Sequence, residues 1–143
     1  MAIHDVECCD FYQIHDDVVK AVKEKMPDDD WNIRSKALLH LRAGQQAEAK
    51  DIYKRLCQKM GEKYYIWSEF ADCWEDVNVK IAFLCKALSL EKNEDFIGKM
   101  RLELARQLIK SKKYANAVVE LGQYKKHYVG KGWRIDSEVD VLL

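Results

Sequence analysis

The chain has 143 residues, 48% hydrophobic and 34% charged, with Lys+Arg and Asp+Glu both at 24 and a formal net charge of zero. That length suits one compact domain, and the even balance excludes a wholly basic nucleic-acid binder and an acidic disordered chain. One Pro and 6 Gly leave few breakers, which favours helices over a turn-rich β-fold, and no apolar run approaches the roughly 18 residues of a membrane span.

The first segment, 1–29, reads as an acidic helical cap with its helix near 5–25; residues 1–30 hold nine acidic and three basic side chains. Its opening, MAIHDVECCD, lacks the basic start and apolar stretch of a signal peptide. The five cysteines, Cys8, Cys9, Cys57, Cys73 and Cys85, are odd in number and without framework spacing, so they read as reduced thiols of a cytoplasmic protein. His4, Cys8, Cys9 and His15 could gather round a metal, and Asp16-Asp17 and Asp28-Asp29-Asp30 could hold a cation but suit helix-start electrostatics better. No Cys-x2-Cys spacing supports them, and neither metal nor cofactor is expected. Beyond the cap, apolar residues recur at three- and four-residue steps, as in Trp67, Phe70, Ala71, Trp74 and in Leu102, Ala105, Leu108, Ile109. These runs predict helices at 31–43, 46–60, 64–75, 78–91, 95–111 and 114–128. Asp30, and Asn93 or Asp95, are suited to start helices, and Gly44 and Gly61 to end them in the left-handed conformation. The links are short, so successive helices pack antiparallel, and nothing reads as a strand. The fold class is all-α.

Ala37, Ala71 and Ala105 stand 34 residues apart, each in the first helix of a pair, and Ala49 and Ala117 stand twice that distance apart in second helices. A small side chain at a fixed period is what closely crossing helices need. Around these alanines the sequence resembles the tetratricopeptide repeat family. The middle repeat carries Trp67-x2-Phe70-Ala71-x2-Trp74, the first Ala49-x3-Tyr53-x2-Leu56, and the third Leu104-Ala105-x2-Leu108 followed by Tyr114-x2-Ala117-x3-Leu121-x2-Tyr124. Lys36 and His40 replace usual apolar positions, Lys80-x3-Leu84-x2-Ala87 lies three residues early, and the Pro that often follows the second helix is missing. The resemblance implies a single domain over 1–143: a right-handed array of antiparallel helix pairs, an α-solenoid with repeats at 30–63, 64–97 and 98–131 and a tail at 132–143. The stretch from Trp67 to Phe96, through LCKALSLEKNED, is also similar to helical modules of uncharacterised bacterial multidomain proteins tied to defence loci.

In such arrays the first helices line a concave groove. The resemblance therefore implies a groove faced by Trp31, Arg34, Leu38 and Arg42, then Tyr65, Ser68, Asp72 and Asp76, then Lys99, Leu102, Arg106 and Lys110, basic at both ends and acidic at its centre. Leu38, Glu69 and Asp72 stand where carboxylate-clamping members carry a Lys and Asn set, so a mixed-charge extended peptide fits better than a terminal carboxylate. No nucleophile–base pattern, H-E-x-x-H or phosphate-binding glycine loop occurs, and no enzymatic activity is expected. The expected function is a non-catalytic interaction scaffold whose partner is another protein or peptide, with no membrane. Charge supplies an alternative. Residues 97–134 hold ten basic and two acidic side chains, a net of +8, and 135–143 a net of −3. The basic third pair, Lys99 to Lys126, suits a nucleic-acid-associated or regulatory module of a larger protein, or the acidic end of a second copy in a homodimer. The apolar ending EVDVLL fits a fragment or a tail that packs elsewhere.

Overall fold

The computed structural model describes residues 29–142 together with Asp17, Val18 and Lys20, which are helical and exposed. The rest of the expected cap at 5–25, the His4, Cys8, Cys9, His15 set included, lies outside the described residues. Among the described residues the chain is all-helical, without a strand. Over residues 30–142 the helices are α1 (Asp30–Arg42), α2 (Gln46–Lys59), α3 (Tyr64–Asp72), α4 (Val77–Leu90), α5 (Glu94–Lys110), α6 (Tyr114–Lys131) and α7 (Glu138–Leu142). They fall into two compact units, Met1–Gly61 and Glu62–Leu143.

In the first unit α1 packs on α2. Asp29, one residue before the expected cap, accepts the Asn32 N–H at 2.8 Å and opens α1. A cap there satisfies an amide that the helix itself cannot. Gly44 closes the helix at φ +76°, with the Gln45 N–H returning to the His40 carbonyl at 2.9 Å. On α2, Ala49, Tyr53 and Leu56 are fully buried, one stripe at helical spacing. Lys36, at a position where an apolar residue is usual, is buried beside Ala37, its methylene stem serving as apolar surface.

In the second unit α3 packs on α4, α4 on α5 and α5 on α6. Phe83 of α4 gathers the aromatic stripe of α3: it stacks on Phe70 at 4.6 Å, and the rings of Trp67 and Trp74 lie 5.6 and 6.0 Å away. One core joins Ala71, Leu84, Ala87, Ile97, Met100, Leu104, Leu108 and Ala117. A second joins Leu102, Ala105, Leu121, Tyr124 and Val139. The five alanines in register are all buried, none more than 2% exposed. Helix α5 is flanked by α4 and α6 and feeds both cores. Gly98 permits the α5–α6 approach, because a Cβ there would overlap the phenol of Tyr128.

Several boundaries differ from expectation. Helix α3 stops at Asp72 rather than 75, because Asp76 turns back to accept the Asn78 and Val79 amides and starts α4. Asn93 caps α5 as expected. Gly61 is not left-handed: the left-handed residues among those described are Gly44, Lys112 and Gly132. Helix α6 runs three residues further than expected and ends in a Schellman motif, with Gly132 N–H bonding Val129 O and Trp133 N–H bonding Tyr128 O. The tail does not pack elsewhere. It folds back as α7, sealing Val139 completely within the second core and contributing about 1.5–3 kcal/mol by that burial.

Candidate functional site

The second unit carries a cleft of about 380 Å³ lined by Ser68 and Asp72 of α3, Leu84 of α4, Asp136, and Lys99, Met100, Leu102, Glu103 and Arg106 of α5. Helical spacing explains the α5 wall. Positions 99, 102, 103 and 106 are three or four residues apart, so they share one face. A second recess of about 410 Å³ shares Lys99, Leu102 and Asp136 with the first and adds Tyr124, Tyr128, Arg134, Ile135 and Ser137. The two form a trough along α5, bordered by the segment that leads into α7.

Arg106 is the hub of the cleft's charge. Its Nε donates to both carboxylate oxygens of Glu138, at 3.1 and 3.0 Å, and its Nη1 donates to Glu103 at 3.0 Å. Gln107, buried, donates in turn to the other Glu103 oxygen at 2.7 Å. The Glu138 hydrogen bonds hold the Arg106 guanidinium well above its ordinary pKa, and the same bonds hold the Glu138 carboxyl below its own. Burial raises the Glu103 carboxyl, but hydrogen bonds from Gln107 and Arg106 outweigh it and leave the group lowered. Asp72 goes the other way. Desolvation by the cleft wall raises its carboxyl, Lys80 opposes this, and Glu103 and Glu69 add repulsion.

The cleft thus brings together five expected groove residues, Ser68, Asp72, Lys99, Leu102 and Arg106. Lys99 is exposed on the trough. Arg106 was expected as an open basic wall; its side chain is instead engaged by Glu138 and Glu103. Leu102 was expected to face a ligand and is buried against Val139. Asp76 is not a groove residue, because α3 ends before it and its carboxylate caps α4. Tyr65 is half-buried, its ring edge-on to Tyr64 at 5.4 Å. Lys110 is exposed in the last turn of α5 and lines neither recess of the trough. Trp31, Arg34 and Arg42 belong to the first unit, where the Arg34 guanidinium lies 5.9 Å from the Trp31 ring.

Of the cleft's lining the sequence pattern missed Glu103, Asp136, Leu84 and Met100, and it missed Glu138, which holds Arg106. For Glu103 a signal existed, since it lies between Lys99 and Arg106 on the same face. Burial pushes the Cys57 thiol up to about 11 and raises that of Cys85, and the buried Cys73 thiol donates to the Glu69 carbonyl. Among the described residues no group of three or more His, Cys, Asp or Glu is placed to hold a metal, and no helix is long and apolar enough to cross a membrane.

A family described as a domain of unknown function, DUF7017, matches residues 30–143. The chain belongs to that family. The DUF7017 match begins at the first residue of α1 and includes α7 and the whole trough, so the acidic C-terminal segment is part of the domain. No curated protein matches the chain.

Proposed function

We propose that this DUF7017 domain is a non-catalytic protein-interaction module, a right-handed tetratricopeptide-like array that takes an extended, mixed-charge peptide of a partner protein along the face of α3 and α5. The burial of all five alanines in register supports the repeat reading, since a 34-residue spacing of close helix contacts is what a stacked array requires. One observation carries the binding reading. The α3–α5 cleft sets Asp72 and Lys99 over a floor containing Leu84 and Met100, offering charges of both signs above apolar surface. Such an arrangement fixes the register of a peptide through its charges and holds it through its side chains. The site needs no chemistry of its own.

The test is selection of peptides from a displayed 12-residue library on the full chain, followed by titration of those recovered. Full-length Asp72→Lys with Lys99→Glu should weaken them at least 10-fold while the helical circular dichroism and melting temperature stay at wild type. Recovered peptides that bind wild type and this variant equally would overturn the cleft reading. The nucleic-acid reading makes the opposite forecast. A labelled oligonucleotide would bind with steep salt dependence and lose affinity on charge removal at Lys112, Lys113, Lys125 and Lys126, with no response to Asp72.

A further inference from the structure

Three acids and three bases line the trough along α5, and their pairing is uneven. Arg106 is held by Glu138 and Glu103, and Glu103 also accepts from Gln107. Asp136 accepts the Glu138 N–H at 2.9 Å at the start of α7. Other bases of α5 and α6 are answered by neighbours: Arg101 bridges Glu94 and Glu120, Lys131 and His127 share Asp95, and Lys125 meets Asp140. That leaves Asp72, Lys99 and Arg134 in the trough, none of which meets a hydrogen-bond or ion-pair partner among the described residues.

Asp72 stands in an unfavourable place. It is the last residue of α3, at the negative end of the helix dipole, where a base would serve the helix better. The cleft wall desolvates it, Glu103 and Glu69 repel it, and Lys80 attracts it without forming an ion pair. A charge kept where the fold disfavours it is a mark of a site that a ligand completes. The order of the three unpaired charges follows from the walls they share. Asp72 borders only the first recess, Arg134 only the second, and Lys99 both. The trough therefore offers a negative charge at its α3 end and positive charges from its middle to its α7 end, with the apolar Leu102 common to both recesses.

We infer that the second recess belongs to the peptide site and that the whole trough selects a pair of opposite charges: a Lys or Arg side chain of the partner peptide against Asp72, and an Asp or Glu side chain between Lys99 and Arg134. Helix α7 stays in place, and the segment leading into it forms the far wall. The inference rests on the reading of the α3–α5 cleft as a peptide site and carries it past Lys99 to Arg134, which that reading does not use. Two charges read at separate places reject wholly basic and wholly acidic partners alike, since either would set a like charge against one end.

The probe is the displayed 12-residue library, panned separately on full-length wild type, Asp72→Asn and Arg134→Glu. Recovered peptides are then resynthesised with blocked termini, so that no terminal charge stands in for a side chain. Those recovered on wild type should share one base and one acid at a constant separation. Replacing the peptide's base by Ala should weaken binding to wild type about 5-fold or more and to Asp72→Asn less than about 2-fold. Replacing its acid should show the same contrast between wild type and Arg134→Glu, and panning on Arg134→Glu should exchange that acid for a base. Asp72→Asn should melt no lower than wild type; a lower melting temperature would show its charge already satisfied within the domain and overturn the inference. Peptides that need Asp72 but share no acid, or that bind wild type and Arg134→Glu alike, overturn it and leave the cleft reading standing. Peptides indifferent to Asp72, or a selection that recovers none, overturn both.

Discussion

Gly98→Ala is the most direct probe of the α5–α6 contact on which the trough depends. A methyl at this position would come within 2.6 Å of Tyr128 Cε1 and 2.8 Å of Cζ, and closer still to Oη. The ring cannot simply retreat. It stacks on Tyr124 with centroids 4.1 Å apart and meets Trp133 edge-on at 5.3 Å, so yielding to the methyl disturbs both contacts. Overpacking of this kind costs about 1–3 kcal/mol. Against it stands a gain of up to about 1 kcal/mol, because Ala is the better residue in a helix interior. The net expectation is destabilisation of about 0–3 kcal/mol, a range that reaches too near zero for one measurement to decide. A double-mutant cycle with Tyr128→Ala decides it. Without the phenol the overlap is gone, and Gly98→Ala should then stabilise, giving a coupling of about 1–3 kcal/mol between the two positions. Urea unfolding of the four proteins, followed by circular dichroism, reads this directly. An equal effect of Gly98→Ala in both backgrounds would refute the close-approach argument.

Two further perturbations test the packing. Ala71→Leu and Ala105→Leu place three extra carbons where exposures are 2% and 0%, so each should destabilise by about 1–3 kcal/mol, read as a fall in melting temperature of about 4–8 °C per kcal/mol; unchanged melting of both would mean that the helix contacts tolerate bulk and that the 34-residue register carries no packing constraint. Lys112 occupies the left-handed position, φ 63°, that Gly44 and Gly132 fill at other helix ends, so Lys112→Gly should stabilise by up to about 1 kcal/mol, and a loss of stability on thermal unfolding would contradict the strain assigned to this turn.

Helix existence was legible because apolar spacing is a local property. The stripes through Ala49, Tyr53, Leu56 and through Trp67, Phe70, Ala71 are repeated in burial as they were in sequence. Helix ends were less legible, since they depend on which of several competent groups wins. Asp29 and Asp30 are equally able to cap α1, and the one with extended backbone at the helix entrance does so. Asp76 outcompetes continuation of α3 because its carboxylate satisfies two amides of α4 at once. Lys112 gave no signal at all: the turn takes a left-handed residue at that place whatever its side chain, and here the Lys113 N–H to Leu108 O bond at 2.8 Å holds it there.

The site divides along the same line. Lys99, Asp72 and Arg106 were found because each lies on a predictable helix face, and helix faces converge when helices pack. What the Arg106 charge does was not readable, because it is decided by a partner 32 positions further along the chain. The net of +8 over 97–134 beside −3 over 135–143 already implied attraction between neighbouring segments of opposite sign. Attraction alone gives no address, since any of the ten basic side chains could have answered Glu138. The address comes from Val139: once its side chain is buried between Leu102, Ala105, Leu121 and Tyr124, the residue before it on the short helix is carried to Arg106 and the residue after it to Lys125. The apolar anchor sets the position of α7 and the charges add pairing, so the two contributions separate under mutation. Changes at Val139 remove the burial that places the helix, and changes at Arg106 remove the pairing while leaving the burial.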